Sequence, residues 1–580
     1  MLRFQAELER LPVPTLEDTC ALYLRLVQPL LKDDAELAAT RRAVVEFLRP
    51  EGEGRILQQR LLHWSETVAP DNWLEPFWDD WYLCDDTPLV VNVSPGFVLA
   101  GSSRPQVARA AGLLTAAARF KLLVDREQLE PDVERGAPRC MSEYPRILAS
   151  TRVPGPVRDR LERFPESRHV VVARNGRLFS LNVLDEQGHS FGVEDLERAL
   201  ALVVEDARVG GVPVGVLTTD RRRTWAGVRE EHLERGPPAT REALRAIESA
   251  ILLLVLESDA PPAHPRSSEG ARLALHGDVR ERWFDKSIQL VVAENGVAGF
   301  CMEHAGFDGS TALRFAEFLT GNETALSSSV TATPSPGLLA EPLSIEPTEP
   351  LLEAIEHSQR RANRLVARTD LAVLDVRDCG KDAIAAHRLS PDGFVQMAFQ
   401  LAYFSLTGAT ASTYESVDTK RFLHGRTEAM RSVSPESVAF VASLRSARGI
   451  ADTSERLLRA AVDRHADTVR RCREGRGVER HLLGLRRMLE PGERMPALFE
   501  DRGYETLSRS VLSTSSLRAV DGVELVCFGP VVEEGFGLSY TILQDSLRVV
   551  VTNFHGHARA FADRLEDSLV EMRSLLERRR

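Results

Sequence analysis

Residues 287–309 read SIQLVVAENGVAGFCMEHAGFDG. Two β-rich runs flank Asn295-Gly296, a dipeptide that favours a tight hairpin turn. The second run ends in Glu303-His304, and Asp308-Gly309 follows. A histidine at a strand end projects its imidazole into an adjoining cleft. An acid four residues on can fix a neighbouring charge or the local turn, and glycine permits a tight exit. Imidazole titrates near about 6.5, which suits general-base work at neutral pH. Taken alone, H-x-x-x-D-G fits a buried histidine satisfied by backbone about as well as a catalytic one.

Working outward, residues 169–183 (HVVVARNGRLFSLNV) repeat the pattern around Asn175-Gly176 and predict a second hairpin. Helical spacing of apolar residues runs through 15–48, with Asp18 or Thr19 near its start, and through 106–123. Residues 250–256 (AILLLVL) read as a buried helix or strand. Residues 327–350 are rich in Ser, Thr and Pro, the composition of a connector. Ser390-Pro391-Asp392 opens a helix with Ser as N-cap and Pro in the first turn, closed by Gly408. Strand-like runs at 523–528, 539–542 and 547–552 precede a final amphipathic helix over 558–577. No internal repeat is visible in the residues. The expectation is an α/β fold of two domains, 1–368 and 369–580.

Bulk properties narrow the function classes. A chain of 580 residues exceeds one ordinary core. A net charge of −12 argues against a nucleic-acid surface, which needs clustered positive charge. The seven cysteines are scattered without C-x-x-C spacing, which fits a reducing compartment and speaks against a structural zinc site; no metal is expected. The N-terminus lacks the apolar core of a signal peptide, and no apolar run approaches the roughly 20 residues that span a bilayer. A soluble, cytoplasmic monomer without a membrane span is expected.

Three further fragments carry polar chemistry. Leu512-Ser513-Thr514-Ser515-Ser516 offers adjacent hydroxyls that could donate to an oxyanion or a carboxylate. Thr413-Tyr414-Glu415-Ser416 and Gly425-Arg426-Thr427 read by default as a polar helix end and a loop. The order of the fragments is more telling than any one of them. From Leu11-Pro12-Val13-Pro14 the chain passes through Arg152-Val153-Pro154-Gly155-Pro156 and Arg282-Trp283-Phe284-Asp285-Lys286 to Glu303-His304-x-x-x-Asp308-Gly309. It continues through Leu389-Ser390-Pro391-Asp392, Thr413-Tyr414-Glu415-Ser416 and Glu479-Arg480-His481-Leu482-Leu483-Gly484-Leu485. It ends with Ser513-Thr514-Ser515 and Phe528-Gly529-Pro530-Val531-Val532. Over essentially its whole length it resembles the carnitine/choline acyltransferases, most of all the carnitine O-acyltransferases.

The resemblance implies two chloramphenicol-acetyltransferase-like domains with a tunnel at their interface. Acyl-CoA is implied as co-substrate, with no permanently bound cofactor. His304 matches the base that takes the proton from the acceptor hydroxyl, which attacks the thioester directly, and Asp308 is its structural companion. Ser515 matches the oxyanion donor. Tyr414, Ser416, Thr427, Arg480 and Ser513 match the polar set around carnitine. Phe528 matches the aromatic beside its trimethylammonium, where a cation–π contact is reasonable. Arg480 stands where choline enzymes carry a neutral residue and Thr427 where they tend to have valine, which favours carnitine. Choline or another amino alcohol is the alternative acceptor, and a non-enzymatic acyl-CoA-binding homologue is the alternative class. Lys381, Arg388, Asp392 and Ser516 match positions along coenzyme A. Here the chain departs from the family, whose second lysine in this loop aligns with Ala385; His387 or Arg388 is the candidate substitute. Val526 stands where acetyl-specific relatives carry methionine and long-chain relatives glycine, which implies a short- to medium-chain acyl pocket.

Overall fold

The computed structural model describes residues 1–262, 264–323, 338–445 and 451–577. In the first part of the chain the strands are β1 (Gly96–Leu99), β2 (Ser150–Val153), β3 (Arg160–Arg163), β4 (His169–Arg174), β5 (Arg177–Asn182), β6 (Leu253–Leu256), β7 (Ile288–Val292), β8 (Ala298–Met302) and β9 (Glu341–Pro342). The remainder supplies β10 (Asp370–Arg377), β11 (Thr413–Asp418), β12 (Thr427–Arg431), β13 (Leu512–Ser516), β14 (Val523–Cys527), β15 (Phe536–Ile542) and β16 (Ser546–Asn553).

Two large mixed sheets result. The first runs β9-β5-β4-β6-β7-β8-β1-β14, the second β10-β16-β15-β13-β11-β12. Setting aside β9 and β14, both sheets have the same order and the same sequence of strand senses. A hairpin pair is followed by two parallel pairings and then two antiparallel ones: β5/β4, β4/β6, β6/β7, β7/β8, β8/β1 in one sheet, and β12/β11, β11/β13, β13/β15, β15/β16, β16/β10 in the other. The chain is thus a topological repeat that leaves no trace as a repeat of residues. Backbone pairing and core burial specify such a unit, and many apolar sequences satisfy both.

The expected hairpins form. β7 and β8 pair with Ala298 opposite Val292, and Gly296 has φ 81°. A Cβ there would lie 2.3 Å from the Arg104 carbonyl oxygen, so glycine is required twice over. Residues 250–256 resolve as strand β6. The predicted helix over 15–48 is broken in two, α1 (Leu16–Val27) and α2 (Asp34–Phe47). Between them Pro29, in the 3-10 turn Gln28–Leu30, cannot donate a helical hydrogen bond. Thr15, rather than Asp18 or Thr19, caps α1 by accepting from the Asp18 amide at 3.3 Å. The first part also carries helices α3 (Glu53–Thr67), α4 (Glu75–Leu83), α5 (Gln106–Asp125), α6 (Val193–Asp206), α7 (Gly309–Asn322) and α8 (Glu349–Arg368), among others. Then come α9 (Pro391–Thr407), α10 (Ala451–Arg473), α11 (Glu479–Arg487) and α12 (Ala558–Glu577). Ser390 caps α9 at the Gly393 amide, and Gly408 ends it at φ 74°. Residues 324–337, most of the predicted connector, lie outside the described residues.

Two features tie the part of the chain that carries the first sheet to the part that carries the second. β14 leaves the second half to become the edge strand of the first sheet, with Val526 opposite Phe97. Helices α1–α3 share a buried apolar cluster with Val478, Leu482 and Leu485 at α11. No described helix is long and apolar enough to cross a membrane.

Candidate active site between the two lobes

β8 ends at Met302, and the chain turns sharply into α7. The His304 amide donates to the Val93 carbonyl at 3.2 Å, which anchors the turn to the first lobe. The ring Nδ1 lies 3.0 Å from the Phe307 carbonyl oxygen and 3.8 Å from Asp308 Oδ1. A carbonyl can only accept, so the proton sits on Nδ1 and Nε2 is left as the free base. The side chain is 28% exposed, and the Tyr82 ring packs beside it with centroids 5.4 Å apart.

Asp308 occupies the N-cap position of α7 but makes no capping bond. Arg426 claims its carboxylate instead, with Nε on Oδ2 at 3.0 Å and Nη2 on Oδ1 at 3.1 Å. The same guanidinium donates to the Ala305 carbonyl at 3.0 Å and the His304 carbonyl at 3.3 Å. Arg426 lies between β11 and β12, so a residue of the second lobe cinches the His304 turn of the first. Glu143 braces this knot. It accepts from the Asp308 amide at 3.1 Å and Thr311 at 2.6 Å, and pairs with Lys420 at 2.7 Å and Arg426 at 2.9 Å. Burial alone would push the Asp308 carboxyl up. Arg426 and the His304 ring outweigh it, so the group is held below the usual carboxylate range.

The second lobe contributes one face of its sheet. Register sets Tyr414 opposite Ser513 and Arg431, Ser416 opposite Ala429, and Asp418 opposite Thr427. With a period of two, Tyr414, Ser416, Thr427, Ser513 and Ser515 share that face. Ser416 Oγ lies 3.3 Å from Ser515 Oγ. The end of β13 abuts the His304 turn: a Cβ at Gly309 would sit 3.4 Å from Leu517. Tyr414 is half-buried, and desolvation pushes its phenol up, with the charges of Arg480 and Asp308 also acting on it. It remains a protonated donor.

Arg480, at the start of α11, is 8% exposed. Its Nε donates to the Thr427 carbonyl at 3.2 Å, and its guanidinium lies 4.2 Å from the Trp78 ring centroid. Arg426 approaches the same indole at 5.6 Å. Among the described residues no carboxylate pairs with Arg480. Glu428 Oε1 accepts the Arg480 backbone amide at 3.2 Å. Burial pushes the Glu428 carboxyl up to about 7, with Arg480 pulling the other way.

The opposite face of the second sheet is held by a buried polar network. Gln396 Nε2 donates to Thr514 at 2.8 Å and to Tyr540 at 2.9 Å, and Tyr540 donates to Asp392 at 2.7 Å. His465 Nε2 lies 2.7 Å from Glu415 Oε2. Ser516 pairs with Tyr540 in register and so lies on this face, opposite to that of Ser515. Lys381 and Arg388 stand apart ahead of α9, Lys381 at the start of the short helix Lys381–Ala385 and Arg388 in the turn that follows it. Both are exposed, neither has a carboxylate partner among the described residues, and Arg388 takes φ 58°. Phe528 follows β14, its carbonyl accepting from Thr552 at 2.7 Å. Val526 points into the first-lobe core with Phe97, Phe300 and Phe315.

The sequence reading passed over Trp78, Tyr82, Arg426, Glu143 and Glu428. The aromatic run in Glu75–Leu83 (EPFWDDWYL) and the charge inside Gly425-Arg426-Thr427 were the available signals. Neither reveals a partner hundreds of residues away.

The family model for choline/carnitine O-acyltransferases matches residues 11–571. The chain belongs to this family. It is 33% identical to a carnitine O-acetyltransferase of Columba livia, over 99% of this chain and 94% of that protein. It is 31% identical to the carnitine O-acetyltransferase of Homo sapiens, covering 99% and 95%. A choline O-acetyltransferase of Sus scrofa is 33% identical, covering 98% and 92%. Overall identity therefore does not separate the two acceptors within the family. That distinction falls to individual side chains.

Proposed function

We propose that the chain transfers an acyl group reversibly between coenzyme A and the hydroxyl of carnitine. His304 Nε2 takes the proton from the acceptor hydroxyl. The oxygen attacks the thioester carbonyl, the C–O bond forms, and an oxyanion develops that Ser515 is positioned to meet as a donor. Collapse breaks the C–S bond, and the proton on Nε2 passes to the departing sulfur. No acyl-enzyme is required. The Phe307 carbonyl keeps the productive tautomer, and Asp308 steadies the imidazolium from 3.8 Å.

One observation carries the choice of carnitine. Arg480 is a buried guanidinium, stacked on Trp78, with no carboxylate partner among the described residues. A buried charge is costly unless paired. Carnitine brings a carboxylate to complete that pair, and choline brings none. Thr427 and Tyr414 add hydroxyls on the same face. Acyl-CoA is the co-substrate, with Lys381 and Arg388 as the exposed cations for its phosphates. Val526, intermediate in size, sets a preference for short to medium chains. The test is thiol release from acetyl-CoA with carnitine and choline as competing acceptors. Carnitine is expected to be favoured in kcat/KM by at least about 10²-fold, as for a site whose buried polar groups one substrate leaves unpaired. Equal use of both, or a preference for choline, overturns the assignment.

A further inference from the structure

Behind the His304 turn lies a cavity of about 380 Å³ that the acyl-transfer site does not use. Hairpin β2/β3, helix α4 and residues 303–307 enclose it. Its polar lining is unfinished in a specific way. Ser287 is 5% exposed and lines the cavity, yet its hydroxyl has no hydrogen-bond partner among the described residues. Asp79 lines it too, and its Oδ1 is buried with no donor among the described residues. Arg163 donates only to the Pro145 carbonyl, at 2.7 Å, and has no acid partner among the described residues. Arg146 has only a long contact to Glu75, 3.5 Å, and Glu75 is already engaged by His424 at 2.7 Å. Two under-committed guanidiniums, an orphaned hydroxyl and an orphaned carboxylate oxygen thus border one space.

We propose that this cavity binds a small phosphate-bearing anion. Arg163 and Arg146 meet the charged oxygens, as guanidinium forks do for phosphate. The Ser287 hydroxyl donates to another oxygen. A monoprotonated phosphate, or a phosphomonoester in its monoprotonated form, also carries an O–H, which donates to Asp79 Oδ1; sulfate at neutral pH has none to give. The cavity volume is of the size that holds small-molecule ligands. Leu83, Leu161 and Phe307 form an apolar wall that would accept the organic part of a phosphomonoester. The floor is Gly306-Phe307, and the Phe307 carbonyl is the acceptor that fixes the His304 tautomer. Occupancy is therefore sensed by the catalytic turn.

The test uses the full chain saturated with coenzyme A, so that cofactor-phosphate contacts are already filled. Thermal unfolding is followed against inorganic phosphate, glycerol phosphate and sulfate. Inorganic phosphate is expected to raise Tm in a saturable way, with sulfate at least tenfold weaker. Tighter binding of glycerol phosphate assigns the cavity to a phosphomonoester, and equal binding assigns it to free phosphate. Arg163→Gln, at an exposed position, is expected to weaken phosphate at least tenfold while keeping the coenzyme A response, and Ser287→Ala is expected to do likewise. A saturable response that Arg163→Gln leaves unchanged, sulfate binding as well as phosphate, or no response in the unaltered protein would overturn the proposal.

Discussion

Replacing Arg480 by glutamine removes the charge while keeping most of the side-chain volume. The guanidinium is 8% exposed, lies 4.2 Å above Trp78 and is bonded to the Thr427 carbonyl. A hydrogen bond to a charged group contributes about 1.5–3 kcal/mol, and leaving one buried charge unpaired costs about 3–5 kcal/mol. At about 1.4 kcal/mol per decade, kcat/KM for carnitine should fall by about 10²- to 10³-fold. The carboxylate is remote from the reacting hydroxyl and is bound in ground and transition states alike. The loss should therefore appear mainly in KM. Choline never uses this cation, so its kcat/KM should stay within about threefold or rise. The assay is thiol release at saturating acetyl-CoA, titrating each acceptor, with KM for acetyl-CoA as the folding control. If carnitine keeps its kcat/KM within about threefold, or if carnitine and choline fall together, Arg480 is not a carboxylate partner.

Other expectations are more local. Arg426→Lys keeps the charge but loses the fork that holds Asp308 and two carbonyls of the His304 turn. It should lower kcat about tenfold or more with KM values little changed, and destabilise by about 1.5–3 kcal/mol in thermal unfolding. Glu428 is neutral below about 7 and anionic above it. As it ionises it neutralises Arg480, so KM for carnitine should rise between about pH 6 and 8.5 and lose that rise in Glu428→Gln. The same raised carboxyl stabilises the fold fully below its unfolded value of about 4.5, and that contribution fades as pH climbs through about 7. Val526→Met should shift chain-length preference toward acetyl, lowering the octanoyl-to-acetyl ratio of kcat/KM at least tenfold, because each buried methylene is worth about 0.8 kcal/mol.

What could be read in the residues was local chemistry. Asn295-Gly296 fixed the hairpin, and the hairpin fixed where His304 leaves the sheet. Alternation along β11 and β13 is a property of any strand, so Tyr414, Ser416, Ser513 and Ser515 could be grouped once those runs were taken as strands. Thr413-Tyr414-Glu415-Ser416 read by default as a helix end, and only pairing with β13 makes it a central strand. The pairing of β14 with β1 joins residues more than 400 positions apart in sequence, and no periodicity encodes it. Trp78 and Arg426 were missed for the same reason. Each is an ordinary residue on its own element and gains a role only from the partner that the other lobe supplies. Arg480 was legible by resemblance, but that no acid among the described residues pairs with it is visible only in three dimensions.

The most direct measurement is kcat for thiol release by His304→Ala, set against its dissociation constant for coenzyme A. A general base contributes about 10²–10⁴ in rate. The expected result is a fall in kcat of at least about 10²-fold with coenzyme A affinity held within threefold. A variant that retains more than a tenth of the original kcat, or that loses turnover only as far as it loses coenzyme A, would contradict the assignment of His304 as the base.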